Sequence, residues 1–117
     1  MAKRNTFFAK KTECRLGHLH DSKREADRCH ELQTLLRAGE IEALSFEPVW
    51  EVEIDGRPVK MGNGHTMRFT PDFSYVEGGK VIYEDVKPKN GYMSRDVPVK
   101  IALFRHLNPN IDLRIVT

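Results

Sequence analysis

Asp72 and Asp85 stand either side of a twelve-residue interval with Gly78-Gly79 at its centre, and Lys87 follows Asp85 by two residues. If the two glycines form a two-residue turn, antiparallel partners have numbers that sum to 157, so Glu77 meets Lys80, Val76 meets Val81 and Asp72 meets Asp85. Directly opposed side chains have Cβ atoms about 4.5 to 5.5 Å apart, and like charges there repel. A divalent cation removes that repulsion, since Mg²⁺ is typically held by one or two carboxylates together with water and substrate phosphate. Lys87 projects from the same face one step along. The plainer reading is a solvated hairpin in which Lys87 screens two aspartates, and a one-residue slip of register would part them. Aspartate is disfavoured inside strands, so two at one rung favour the metal.

A third carboxylate, Glu25, precedes them. Ala26, Cys29, Leu32, Leu35 and Leu36 recur at helical spacing, and at about 100° per residue Glu25 falls within the apolar arc rather than opposite it. Ser22 and Glu25 also have the form of a capping box, which would send the Glu25 carboxylate back to the helix start. With the two aspartates in view, the reading as a metal ligand is preferred.

A separate set, Cys14, His18, His20 and Cys29, has the ligand types of a structural zinc site if residues 14–20 run extended with Cys14, His18 and His20 to one side. The spacing matches no common finger, and the alternative is a small core cysteine with polar loop histidines. Downstream of Lys87, a loop over 89–95 offers Lys89, Asn90, Tyr92 and Arg95, basic and aromatic side chains of the kind that grip a nucleic-acid backbone.

These residues need elements to hold them. A helix is expected over 22–38, stopped by Gly39. From Leu44 the period changes to two, with Leu44, Phe46, Pro48, Trp50, Val52 and Ile54 on one face, which predicts a strand over 44–54. Two further extended runs, 67–77 and 80–87, form the hairpin, its second face carrying Phe69, Pro71, Phe73, Tyr75, Ile82 and Val86 with Glu84 as a charged intruder. Trp50 is expected in the core. Asp96 as N-cap and Pro98 in the first turn predict a helix to Leu107, and 111–116 a last strand. The order αβββαβ implies an α/β fold with a mixed four-stranded sheet flanked by helices.

At 117 residues, with 39% apolar and 31% charged side chains, the chain is expected to be one globular domain, 1–117. Its net charge of +2 conceals a pattern: nine basic against five acidic residues over 1–37, four against ten over 38–86, and six against two over 87–117. Basic ends around an acidic middle suit a protein that attracts a polyanion and holds a cation centrally. No segment has the length or apolarity of a signal peptide or membrane span, so a cytoplasmic protein is expected, its cysteines reduced or metal-bound.

Pro71-Asp72, the twelve-residue interval and Asp85-Val86-Lys87 together reproduce the pattern that names the PD-(D/E)XK nucleases. With Asp21-Ser22-Lys23-Arg24-Glu25-Ala26, Arg37-Ala38-Gly39-Glu40-Ile41 and Glu84 before Asp85, the chain resembles small phage-encoded endonucleases of that superfamily over most of 14–117. The resemblance implies a restriction-endonuclease-like core and Mg²⁺- or Mn²⁺-dependent hydrolysis of DNA phosphodiesters. It implies Glu25, Asp72 and Asp85 around the metal, Lys87 beside the attacking water, and a basic residue from the following helix, for which Lys100 is the candidate. Lys23, Lys89, Tyr92 and Arg95 become candidate DNA contacts. Relatives with the acidic helix include junction resolvases, so branched or nicked DNA and a homodimer are expected by analogy. Two other classes compete: a non-catalytic DNA-binding module of nuclease fold that needs a partner, and a zinc-stabilised interaction module.

Overall fold

The computed structural model describes residues 12–13, 19–20, 23–88 and 90–117, the first two pairs by their backbone alone. The chain divides into two compact units, Met1–Ile41 and Glu42–Thr117. In the first, β1 (Thr12–Glu13) pairs antiparallel with β2 (Leu19–His20), and α1 spans Lys23–Arg37. Across this pairing Thr12 faces His20 and Glu13 faces Leu19. Helix α1 ends as its sequence dictates: Gly39 takes a positive φ of 76° and the backbone N–H of Glu40 bonds the carbonyl of Leu35. Ser22, the expected cap, lies outside the described residues.

The second unit is built on a mixed sheet in the order β10-β9-β8-β3, formed by β3 (Glu42–Phe46), β8 (Phe73–Glu77), β9 (Lys80–Val86) and β10 (Asp112–Val116). The described residues thus form a mixed α/β protein with a four-stranded mixed sheet and two helices. β8 and β9 are antiparallel and β10 is parallel to β9, reached through α2 (Asp96–Leu107). Such a parallel return needs a crossover, which the helix provides.

Between β3 and β8 the expected long strands are broken. The run over 44–54 stops at Phe46 because Glu47 takes a φ of 48°, outside the strand region, and Pro48 follows. It resumes as β4 (Trp50–Glu51) and β5 (Glu53–Ile54), the latter turned by Asp55-Gly56 into β6 (Arg57–Pro58). The run over 67–77 is likewise divided into β7 (Arg68–Phe69), which pairs with β4, and β8. Val52 is fully buried where three limbs meet, its N–H bonding Met67 and its carbonyl accepting from Val59. The break at residues 70–72 changes the side on which Phe69 packs. Instead of joining Phe73 and Ile82, it clusters with Ile101, Phe104 and Leu113, together with Tyr83, which points from the opposite face of β9 to Ile82.

Phe104 holds α2 to the sheet. Its ring makes edge contacts with Trp50 (centroids 5.0 Å apart) and Phe69 (6.1 Å) and a tilted one with Tyr83 (5.1 Å), so Trp50, expected in the core, packs against it while only partly buried. Burying such an aromatic contributes about 2 to 3 kcal/mol from area alone. Arg105 adds a hydrogen bond to the Leu113 carbonyl at 2.9 Å. The helix begins at Asp96, not after it: Arg95 occupies the cap position with no side-chain cap bond, and the Asp96 carboxylate serves elsewhere.

Candidate active site

The hairpin register follows from its two glycines. Gly78 and Gly79 both take positive φ (58° and 78°), the conformation of the two-residue turn that matches strand twist. Every rung from Glu77–Lys80 to Phe73–Glu84 then has the expected partner. Asp72 comes just before Phe73 in a bend outside β8, so the expected Asp72–Asp85 rung is not part of the ladder. With no strand beside it, the Val86 N–H on that side has lost its carbonyl partner, and the Asp72 carboxylate takes the vacant role, accepting that N–H at 2.7 Å. The Asp72 carbonyl accepts the N–H of Glu47 at 2.9 Å, so the residue is fixed from both sides.

Asp85 is only 5% exposed. Lys87, two residues on and on the same face, places Nζ 2.8 Å from its Oδ2, with both side chains largely covered. One turn before Phe104 on α2, Lys100 is brought toward the same end of the sheet. Its Nζ lies 3.0 Å from Asp96 Oδ2. The Lys100 bond holds the Asp96 carboxyl below the ordinary 3.8, and Lys87 is close enough to push it the same way. Two ion pairs, Asp85–Lys87 and Asp96–Lys100, thus stand near one another, connected by the weak pull of Lys87 on Asp96. Asp96 was expected only as a helix cap; its spacing of four from Lys100 was the available signal for the pairing.

Glu84, the intruder on the apolar face, is fully buried. The Tyr75 hydroxyl donates a hydrogen bond to its Oε2. Tyr75 sits opposite Ile82, one strand step from the Glu84 rung, so the pair is diagonal across the hairpin.

In the first unit, Glu25 is 9% exposed and lies with Ala26, Cys29 and Leu32 on the buried stripe of α1, as its angular position indicated. Cys29 is buried, and its Sγ accepts from the Gln33 amide at 3.2 Å. Cys14 and His18 lie outside the described residues, as does the side chain of His20, so the zinc set has no described geometry beyond Cys29. Lys23 is exposed and paired with Asp27 at 3.2 Å. Of the candidate DNA-contacting loop, Tyr92 and Arg95 are exposed and Lys89 lies outside the described residues.

Among the described residues no three His, Cys, Asp or Glu side chains converge as a metal site. Asp72 and Asp85 supply two carboxylates, oxygen donors that suit a hard cation such as Mg²⁺ or Mn²⁺ with the remaining positions left to water and phosphate.

Fold and site together define a small mixed α/β protein with a buried acid paired to a half-buried lysine at the open end of a hairpin. Over residues 4–117 the chain matches the family described as protein of unknown function DUF1064, and it belongs to that family. No curated protein and no solved structure matched it.

Proposed function

We propose that the chain is a metal-dependent DNA endonuclease with a restriction-endonuclease-like core, selective for branched or nicked DNA. The observation that carries this reading is the Asp85–Lys87 pair at 2.8 Å, with the Asp72 carboxylate tied to the residue between them. Burying two charges costs several kcal/mol per ion unless their geometry is good, and a site that served stability alone would do as well with apolar residues.

A divalent ion bound by Asp72 and Asp85 would polarise the scissile phosphate and lower the pKa of its water. The chain's own residues do the rest. Val86 N–H fixes the direction of the Asp72 carboxylate, and the short strand step from Asp85 to Lys87 keeps the ammonium at the reacting side. Lys87 orients the water and offsets charge that develops on the phosphate oxygens. Lys100, steered by Asp96, adds a second cation from α2. No helix among the described residues is long and apolar enough to cross a membrane.

The test is cleavage of a four-way junction, a nicked duplex, a linear duplex and a single strand with Mg²⁺ or Mn²⁺. The parent chain should cut a branched or nicked form best. Asp85→Asn and Lys87→Ala should each lower the rate by about a thousandfold, the scale of one removed electrostatic stabiliser, while DNA binding persists. If both variants cut as the parent does, the site is wrong; if the parent binds but cuts nothing, the chain is a binding module.

A further inference from the structure

Tyr92 is the most exposed of the large hydrophobic residues described in the second unit, at 66%, although the residues around it are held. The N–H of Gly91 bonds the carbonyl of Pro88 at 2.8 Å, and Gly91 takes a φ of 72° that suits glycine. The side chain of Asn90 accepts the N–H of Tyr92 at 3.0 Å. The next residue, Met93, packs on the cluster of Phe69, Ile101, Phe104 and Leu113. A tyrosine fixed before and after, yet turned to water, leaves much of its ring surface unburied.

Its place limits what it can meet. A hydrogen-bonded turn brings its first and fourth Cα atoms within about 7 Å, so Tyr92, one residue further, lies within about 11 Å of Pro88, the residue after Lys87. That distance is about three nucleotide steps at 3.4 Å each. Arg95, exposed in the same loop, supplies positive charge for an intervening phosphate. A paired base hides its faces in the stack, whereas an unpaired one offers a π-face to an aromatic ring. Resting on the nucleic-acid substrate proposed above, we infer that Tyr92 is a stacking platform for an unpaired base one to three nucleotides from the scissile phosphate. It thereby selects DNA with unpaired bases over continuous duplex.

The test uses the full chain with Ca²⁺ in place of Mg²⁺, and two DNAs of the same sequence: a blunt duplex and a duplex ending in three unpaired nucleotides. 2-Aminopurine, whose fluorescence falls on stacking, replaces each unpaired base in turn. The parent should quench at one or more positions and prefer the overhang. Tyr92→Ala should bind the overhang about tenfold more weakly, the scale of one base–aromatic stack, and bind the blunt duplex unchanged. Tyr92→Phe should behave as the parent. Quenching that survives Tyr92→Ala, or equal losses on both DNAs, would overturn the inference. Stacking is read here without cleavage: a chain that quenches but does not cut with Mg²⁺ would overturn the hydrolytic reading and support this one, and a chain that cuts without quenching would do the reverse.

Discussion

Glu84 and Asp85 are neighbours in one strand and both are buried acids, but they face opposite sides of the sheet and are treated differently. Glu84 is sealed among Phe73, Tyr75 and Ile82 and receives a neutral phenol proton. Asp85 receives an ammonium on a flexible stem, beside a second carboxylate, at the end where β8 has stopped. A carboxylate bonded by a hydroxyl in an apolar setting fits one geometry and holds the sheet together. A carboxylate whose partner can swing away can exchange that partner for a metal or a phosphate. The difference separates a structural acid from a chemical one within two residues.

The sharpest way to break this contrast is to remove each acid and measure stability. Glu84→Ala empties a fully buried site and leaves the Tyr75 hydroxyl short of an acceptor, so it should cost about 3 kcal/mol, which lowers Tm by roughly 15 °C. Asp85→Asn keeps the volume and lets Lys87 turn to water, so Tm should hold or rise, because sites built for chemistry are not optimised for stability. Thermal unfolding followed by circular dichroism decides it. If Asp85→Asn is the more damaging, the roles are reversed. Tyr75→Phe should fall between them, losing about 1 to 2 kcal/mol for one hydrogen bond to a buried acid.

That contrast was only half visible in the sequence. The alternation of residues and the glycine pair determined the register from Glu77–Lys80 to Phe73–Glu84, and with it the face of Asp85, but Asp72 fell outside it. Parity also placed Glu84 on the apolar face, but nothing in a pattern of apolar residues says that a tyrosine two positions off will satisfy the acid. The strand breaks were hidden for another reason. Glu47 in the left-handed region is a choice that propensity disfavours, imposed by the chain's departure toward β4, so the period-two pattern ran unbroken through a point where the backbone turns. Asp96 had both a cap's chemistry and an ion pair's spacing; Arg95 took the cap position, and the carboxylate went to Lys100.

A smaller effect tests the double use of Asp72, which as both backbone acceptor and candidate ligand stands between the two kinds of acid. Asp72→Ala leaves the Val86 N–H without its acceptor at the end of the ladder and should cost about 1 to 2 kcal/mol in addition to cleavage. Asp72→Asn keeps an oxygen that can accept the same N–H, so it should fold almost as the parent does while losing the charge a cation needs. Denaturant midpoints for the two variants, set beside their Mn²⁺ affinities by calorimetry, separate the roles. Equal stability losses would mean that the hydrogen bond to Val86 contributes nothing special.

The smallest effect concerns the exposed end of the charge group, where solvent screens every interaction. Asp96 titrates below 3.8 chiefly through its bond to Lys100, with Lys87 the weakest of the contributors. Lys100→Ala should therefore raise the Asp96 midpoint toward 3.8, and Lys87→Ala should raise it by less, as followed by carboxyl chemical shifts against pH. Because the folded midpoint is depressed, the stabilisation from Asp96 is present above the unfolded value and is lost as pH falls through the folded one. The stability difference between the parent and Asp96→Asn should thus vanish at acid pH and shrink in high salt. The order of the two lysine variants is the informative result: if Lys87→Ala moves Asp96 more than Lys100→Ala does, Lys87 spends its time on α2 rather than on Asp85, and the acid that governs the site's lysine is the exposed one.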